Sequence, residues 1–153
     1  MSLFMTVLFF GIYSCMALPD DGFPKIIAKS PGMKGSSKSQ SIILKNNSEL
    51  SKFLDLPEAE ANQRMKQTLK VDQIDFANQM ILVIQGGECK SGGFKVAFEK
   101  FEIKNVTLHV LWKLQAPPAD AFVTQALTYP SLILLVEKHK GEIIFKQIID
   151  KKN

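Results

Sequence analysis

The fold class is decided by residues 106–114, which have the sequence VTLHVLWKL. Apolar side chains occupy every second position, namely Val106, Leu108, Val110, Trp112 and Leu114. This period of two is the signature of a β-strand with one face on a core. We therefore expect Trp112 in the core and His109, which has the opposite phase, on the outward face.

Two neighbouring segments are apolar without alternation. They are MILVI at residues 80–84 and LILLV at residues 132–136. Continuous apolar runs of this length are typical of strands that are covered on both faces. The sequence therefore predicts that these two strands are covered on both faces.

Three further strands complete the predicted sheet. Residues 94–103 change phase in the middle, because Phe94, Val96 and Phe98 share one phase whereas Phe101 and Ile103 share the other. A β-bulge near Glu99 or Lys100 would restore one apolar face. SIILK at residues 41–45 predicts the first strand, and EIIFKQII at residues 142–149 predicts the last.

Helices are predicted between the first strand and the second. Asn47 or Ser48 can cap a helix on which Leu50, Phe53 and Leu54 share one face. Pro57 ends this helix and can begin another over residues 58–69. The predicted fold is α+β: a mainly antiparallel sheet of about five to six strands, with one or two helices on one face, forming a single domain over residues 40–153.

The N-terminal part of the chain predicts export. No charged residue occurs before Asp20, and an apolar run fills residues 3–12. We therefore interpret residues 1–17 as a secretory signal. Two processing routes remain open, which are lipidation of Cys15 and ordinary cleavage after Ala17.

A spacer is predicted after the signal. Residues 18–39 are rich in Pro, Gly, Ser and Lys and have no apolar period. Such a composition is typical of a flexible linker. The expected location is therefore outside the cytoplasm: periplasmic, attached to the outer membrane, or on the cell surface.

The charge distribution argues against a nucleic-acid partner. The formal net charge of +4 comes from lysines spread along the chain, and Arg64 is the sole arginine. Nucleic-acid surfaces have clustered Arg and Lys with interleaved aromatic residues. We expect membrane contact only through a lipid at Cys15.

Catalytic and metal chemistry are not indicated. Cys89 could act as a nucleophile with His109 or His139 as its base. However, His109 has the outward phase of a strand, and His139 lies in a turn at the predicted opposite end. Two histidines and one cysteine without local spacing do not predict a metal site. We expect no enzyme activity, no cofactor and no metal.

Two loops are predicted to converge. If consecutive strands alternate in direction, loops 86–93 and 116–130 lie at one end of the sheet, and the turns at 104–105 and 138–141 lie at the other. Loops on a rigid sheet often form recognition surfaces. Their Gly, Pro and Thr residues are equally consistent with turns that stabilise themselves, and both interpretations remain open.

A resemblance to a known family adds information about these loops. Asp75-Phe76 before an apolar strand, SGGF at residues 91–94 and TQALTYP at residues 124–130 together resemble the C-terminal domain of the PrcB family. The similarity extends over residues 40–137. Lys90 stands where that pattern often has Pro, and Phe94 lacks the hydroxyl of the usual Tyr.

The resemblance implies an exported, often lipid-anchored accessory domain without catalysis. Such a domain would bind and stabilise a protein partner, with a secreted or surface protease as one candidate. The residues predicted to contact the partner are Lys90, Ser91, Gly92, Gly93, Phe94, Thr124, Gln125, Thr128, Tyr129 and Pro130. The alternative function is a ligand-binding or peptidase-inhibitory domain that uses the same two loops.

Overall fold

The structure, a computed structural model, describes Ile26–Lys29 and residues 35–149. These ranges contain two helices and seven strands, so the prediction of an α+β fold is confirmed. The elements are β1 (Ile26–Lys29), β2 (Gln40–Leu44), α1 (Asn47–Leu54), α2 (Glu58–Leu69), β3 (Gln79–Gln85), β4 (Lys95–Lys104), β5 (Thr107–Gln115), β6 (Ser131–Glu137) and β7 (Ile143–Gln147).

The two helices begin and end at local signals. The Asn46 side chain caps α1 by accepting a hydrogen bond from the Glu49 backbone N–H at 2.8 Å. The capping residue therefore lies one position before Asn47, the nearer of the two candidates. The Glu49 carboxylate in turn accepts hydrogen bonds from the Lys45 N–H and from the side-chain amide of Asn46. Pro57 precedes α2, which spans the predicted residues 58–69.

The strands form two sheets rather than the predicted single sheet. The first has four antiparallel strands in the order β1-β6-β3-β2, and the second has three strands in the order β4-β5-β7. Strands β5 and β7 are parallel, whereas β4 and β5 form an antiparallel hairpin. The prediction was wrong because alternation shows which face of a strand is apolar but not which sheet the strand joins.

The sheets and helices stack in three layers. One face of the four-stranded sheet packs on α1 and α2, and the buried residues of this core include Leu50, Met65 and Ile81. The other face packs on the three-stranded sheet through Leu82, Leu134 and Trp112, among others. Strands β3 and β6 are thus buried on both faces, as their unbroken apolar sequences predict. Trp112 is 3% exposed, which confirms its predicted place in the core.

The β4–β5 hairpin has the predicted bulge and the predicted outward phase of His109. Its register shifts between Phe98 and Lys100, where the sequence predicts a bulge. His109 has the outward phase but is only 8% exposed, because it lies on the central strand between Glu102 of β4 and Ile144 of β7. Within the described residues, its Nδ1 atom has no hydrogen-bond partner.

Strand β1 lies within residues 18–39, which the sequence predicts to be a flexible linker. It pairs with β6 so that Ile26 lies opposite Leu135 and Lys29 lies opposite Leu132. Backbone pairing at a sheet edge requires no side-chain period, so the composition of the segment did not predict it. The predicted signal at residues 1–17, with Cys15, lies outside the described residues. None of the helices in the described ranges is long and apolar enough to cross a membrane.

Candidate functional site

Loops 86–93 and 116–130 meet at one end of the three-layer domain, which confirms their predicted convergence. Both connect one sheet to the other, since β3 and β6 belong to the first sheet and β4 and β5 to the second. The Cys89 N–H donates a hydrogen bond to the Thr128 carbonyl at 2.8 Å, and the Thr128 N–H donates one back at 2.9 Å. We call the surface formed by these two loops the paired-loop edge.

Glycines allow the two loops to approach each other closely. Gly93 has a φ of +84°, and a Cβ atom there would lie 2.8 Å from Cβ of Pro117 and 2.9 Å from Cγ1 of Val123. The neighbouring Gly92 donates its N–H to the Thr124 carbonyl at 2.8 Å. A side chain at Gly93 would therefore separate the loops and also be strained by the backbone angle.

Two residues of the TQALTYP segment fasten the loops to their surroundings. The Thr128 hydroxyl donates a hydrogen bond to the Ser91 carbonyl at 2.7 Å. The Tyr129 hydroxyl donates one to the Glu88 carboxylate at 2.9 Å, and this bond, with smaller contributions from burial and from the charge of Glu88, raises the pKa of Tyr129. Gly35 packs against the ring of Tyr129, where a side chain at position 35 would collide.

Other residues of the edge are exposed to solvent. Lys90 and Gln125 are exposed, as a contact surface requires. Phe122 has a relative exposure of 106%, and Leu127 is 57% exposed. Sequence reasoning missed Phe122 and Leu127. The available signal for Phe122 was an aromatic residue in a loop interrupted by two prolines, with no apolar partner at strand or helix spacing.

The ten predicted contact residues therefore divide into four groups. Thr128, Tyr129, Gly92 and Gly93 brace the loops, and Ser91, Pro130 and Thr124 supply carbonyl oxygens that accept backbone or hydroxyl hydrogen bonds. Lys90 and Gln125 remain as outward polar side chains. Phe94 is half-buried and precedes β4. Some of the predicted contact residues therefore stabilise the loops, and others remain exposed at the same edge.

The residues that could carry chemistry are not brought together. Cys89 is a free cysteine, 6% exposed, and its burial raises the pKa of the thiol. His139 lies at the opposite end, where its Nε2 contacts the Val106 carbonyl at 2.9 Å, and His109 lies on the outer face of the second sheet. Across residues 26–29 and 35–149, no group of three or more His, Cys, Asp or Glu side chains could hold a metal ion.

An open cleft of about 580 Å³ lies at the end opposite the paired-loop edge. Its walls include Asp75, Asn78, Gln79 and Lys138, whose polar groups are used within the protein. Asn78 Nδ2 and the Ala77 N–H donate to the Asp75 carboxylate, and these bonds lower the pKa of Asp75. Lys138 Nζ donates to the Phe76 carbonyl at 2.9 Å. The Asp-Phe pair of the sequence motif therefore stabilises the turn before β3.

The fold and the edge define a class of protein: a small three-layer α+β domain that presents two mutually braced loops. Residues 80–137 of the chain match the family model described as PrcB C-terminal. This match confirms the resemblance predicted from the sequence over the segment from β3 to β6, which includes both loops. No curated protein and no solved structure gives a significant match to the chain.

Proposed function

We propose that this protein is an exported, non-enzymatic accessory domain that binds and stabilises a protein partner through the paired-loop edge. A secreted or surface protease complex is the partner class that the PrcB C-terminal match favours. The observation that carries the proposal is that some residues of the edge stabilise its loops while others are exposed to solvent. Its loops satisfy one another's polar groups, while Phe122, Leu127, Lys90 and Gln125 are exposed.

Bracing lowers the cost of binding. A loop that is mobile before binding loses conformational freedom in the complex, and this loss opposes association. Here two backbone hydrogen bonds between Cys89 and Thr128, and a third from Gly92 to Thr124, hold the loops before a partner arrives. Exposed aromatic side chains on such a surface are the usual anchors of protein interfaces.

The direction of the chain supports a tethered arrangement. Ile26 lies opposite Leu135, and Lys29 lies opposite Leu132, so β1 runs from the cleft end toward the paired-loop edge. The chain thus enters the domain at the end opposite the edge. An anchor on the N-terminal side, such as a lipid at Cys15, would attach the domain through this end.

The burial of Cys89 is compatible with a location outside the cytoplasm. An exposed lone thiol in an oxidising compartment would form disulfides with other molecules. Cys89 forms a β-bridge with Thr128, and its side chain is buried. This burial raises the pKa of the thiol and so lowers the fraction of reactive thiolate. The same features oppose a role as a nucleophile, so the proposed function includes no catalysis by this chain.

Affinity capture from the native envelope tests this function. Gln125→Ala and Lys90→Ala change exposed side chains of the edge, and neither position needs a special backbone angle. We expect each variant to weaken recovery of the partner while its melting temperature stays that of the parent. Each lost polar contact in a desolvated interface corresponds to about 1–3 kcal/mol of affinity.

Lys140→Ala is the matched control, since Lys140 is an exposed lysine at the opposite end. It should capture the partner like the parent. If Lys140→Ala lost the partner while the two edge variants retained it, the binding surface would lie at the cleft end, and the proposed role of the loops would be wrong.

A further inference from the structure

We propose that residues 119–124 enter the substrate cleft of a peptidase, and that Phe122 fills the pocket by which that peptidase selects an aromatic side chain. This inference rests on the proposed function for the location of the binding surface. It adds the partner's chemistry and the residue that determines its specificity.

The first argument is the exposure of Phe122. At 106%, its side chain makes no significant contact with the described protein around it. Transfer of a large aromatic side chain from water into an apolar pocket is favourable, and a partner could provide such a pocket for Phe122. Its neighbour Ala121 is small, and Val123 is half-buried against the Gly93 side of the loop. Phe122 therefore projects alone, as a side chain that enters a pocket must.

The second argument is that the backbone is fixed on both sides of Phe122. Before it, the Ala121 N–H donates to the Pro118 carbonyl at 3.1 Å and closes a turn. After it, the Thr124 carbonyl accepts the Gly92 N–H at 2.8 Å, and Val123 packs on Gly93. Inhibitory loops of peptidases owe their affinity to such preorganisation.

The third argument concerns the backbone groups of Phe122 itself. Residues 121–124 belong to neither a helix nor a strand. Among the described residues, the N–H and C=O of Phe122 take part in no hydrogen bond. Peptidase clefts bind substrates as extended chains by hydrogen bonding to their backbone. A segment with unpaired backbone groups and one exposed aromatic side chain fits such a cleft.

The charged residues near Phe122 favour its insertion into a protein cleft over its insertion into a lipid surface. Lys90 and Lys95 are exposed on the neighbouring loop and strand. However, Asp120 lies two residues before Phe122, and Glu88 lies on the facing loop. Segments that insert into anionic membranes combine apolar residues with an excess of cations, and this mixture of signs lacks that excess.

The test measures inhibition of two peptidases by the purified full chain. Chymotrypsin, which accepts aromatic side chains, is the probe, and trypsin, which accepts basic ones, is its counterpart. We expect the parent protein to inhibit chymotrypsin and not trypsin. Phe122→Arg should weaken chymotrypsin inhibition by at least about 30-fold, as loss of an interface anchor does, and should confer inhibition of trypsin.

Val106→Arg is the matched control, because Val106 is also an exposed apolar residue, at 73%, but lies in the turn at the end opposite the paired-loop edge. It should leave both inhibition profiles unchanged. Melting temperatures close to that of the parent for both variants would exclude unfolding as the cause of any loss.

Four outcomes would overturn the inference: no inhibition of chymotrypsin by the parent, equal inhibition by Phe122→Arg, rapid cleavage after Phe122 without inhibition, and Phe122-dependent binding to phosphatidylglycerol vesicles in place of peptidase inhibition. Partner capture that depends on Lys90 and Gln125 but not on Phe122 would leave the proposed function standing while this inference failed. If partner capture did not depend on Lys90 and Gln125 and peptidase inhibition also failed, the paired-loop edge would serve neither function.

Discussion

Cys89 and Thr128 exchange two backbone hydrogen bonds, of 2.8 Å and 2.9 Å, and so join two loops that are almost forty positions apart in the chain. This bridge continues the pairing of β3 with β6, since Gly86 donates to the Pro130 carbonyl just beyond the last strand pair. These hydrogen bonds thereby hold together the two loops that connect the first sheet to the second. The paired-loop edge is an extension of the buried central strands.

Thr128→Val tests the bracing of the loops. Valine keeps the shape of threonine but cannot donate the hydrogen bond to the Ser91 carbonyl. We expect the free energy of unfolding to fall by about 0.5–1.5 kcal/mol, measured by urea denaturation. Gln125→Ala, at an exposed position of the same loop, should change it by less than about 0.5 kcal/mol. Equal stability of Thr128→Val and the parent would show that the hydroxyl does not brace the edge.

Trp112→Ala tests the core between the two sheets. The indole is 3% exposed and belongs to the cluster that contains Leu82 and Leu134. Truncation of a large buried aromatic residue costs about 3–5 kcal/mol, which chemical denaturation can measure. Val106→Ala shares the alternation phase of Trp112 but lies at an exposed position, so it should cost less than about 0.5 kcal/mol. A cost below about 1 kcal/mol for Trp112→Ala would contradict the described packing.

Glu102 provides a test of electrostatics on the outer face of the second sheet. Hydrogen bonds from Lys100 and Lys104, at 2.6 Å and 3.1 Å, lower the pKa of its carboxyl from 4.5 to about 2. Because the folded pKa is the lower one, the stabilisation is present above about 4.5 and is lost as the pH falls through about 2. An NMR titration of the carboxyl carbon should give the depressed value.

The lysine pair can be removed to establish the cause. In the double variant Lys100→Ala, Lys104→Ala, the pKa of Glu102 should return toward its ordinary value, whereas Lys66→Ala on α2 should leave it unchanged. High salt should also raise the pKa, since the carboxyl is solvent-exposed and its charge interactions are screened. If the pKa of Glu102 stayed low both in the double variant and at high salt, the lysines would not be the cause of its shift.

Cys89 should be unreactive in the native protein. Its thiol is buried, and burial raises its pKa, so both access and the thiolate fraction are reduced. In a Cys15→Ala background, which leaves one thiol, a disulfide reagent at pH 8 should label Cys89 at least about tenfold more slowly than it labels the urea-unfolded chain. Similar labelling rates in both states would mean that the backbone hydrogen bonds between Cys89 and Thr128 break readily in the native protein.

Local patterns in the chain predict most of its elements. The alternation around Trp112, the unbroken apolar runs of β3 and β6, and the phase change near Glu99 depend on neighbours two to ten positions away. The periods of strands and helices are properties of the backbone, so side-chain order alone reveals them. The convergence of loops 86–93 and 116–130 also follows from the chain, because successive strands that each make one full pass must alternate in direction.

Assignment to sheets depends on the tertiary structure. Strand β7 joins β5 in parallel, and β3 and β4 join different sheets although they are consecutive. An apolar strand face packs equally well in either sheet, so the pattern of residues does not distinguish them. The pattern of residues also does not reveal the pairing of β1 with β6. Edge pairing uses backbone groups that every residue except proline supplies.

Exposure of single side chains is also decided only in three dimensions. Phe122 is apolar yet fully exposed, and His109 is polar yet buried between β4 and β7. Residue type gives only an average tendency toward burial. The surroundings of His109 are contributed by the two flanking strands, whereas no described segment packs over Phe122. The order of residues therefore determined the strands and the end at which the loops meet, whereas packing between distant segments decided which side chains of that end are exposed.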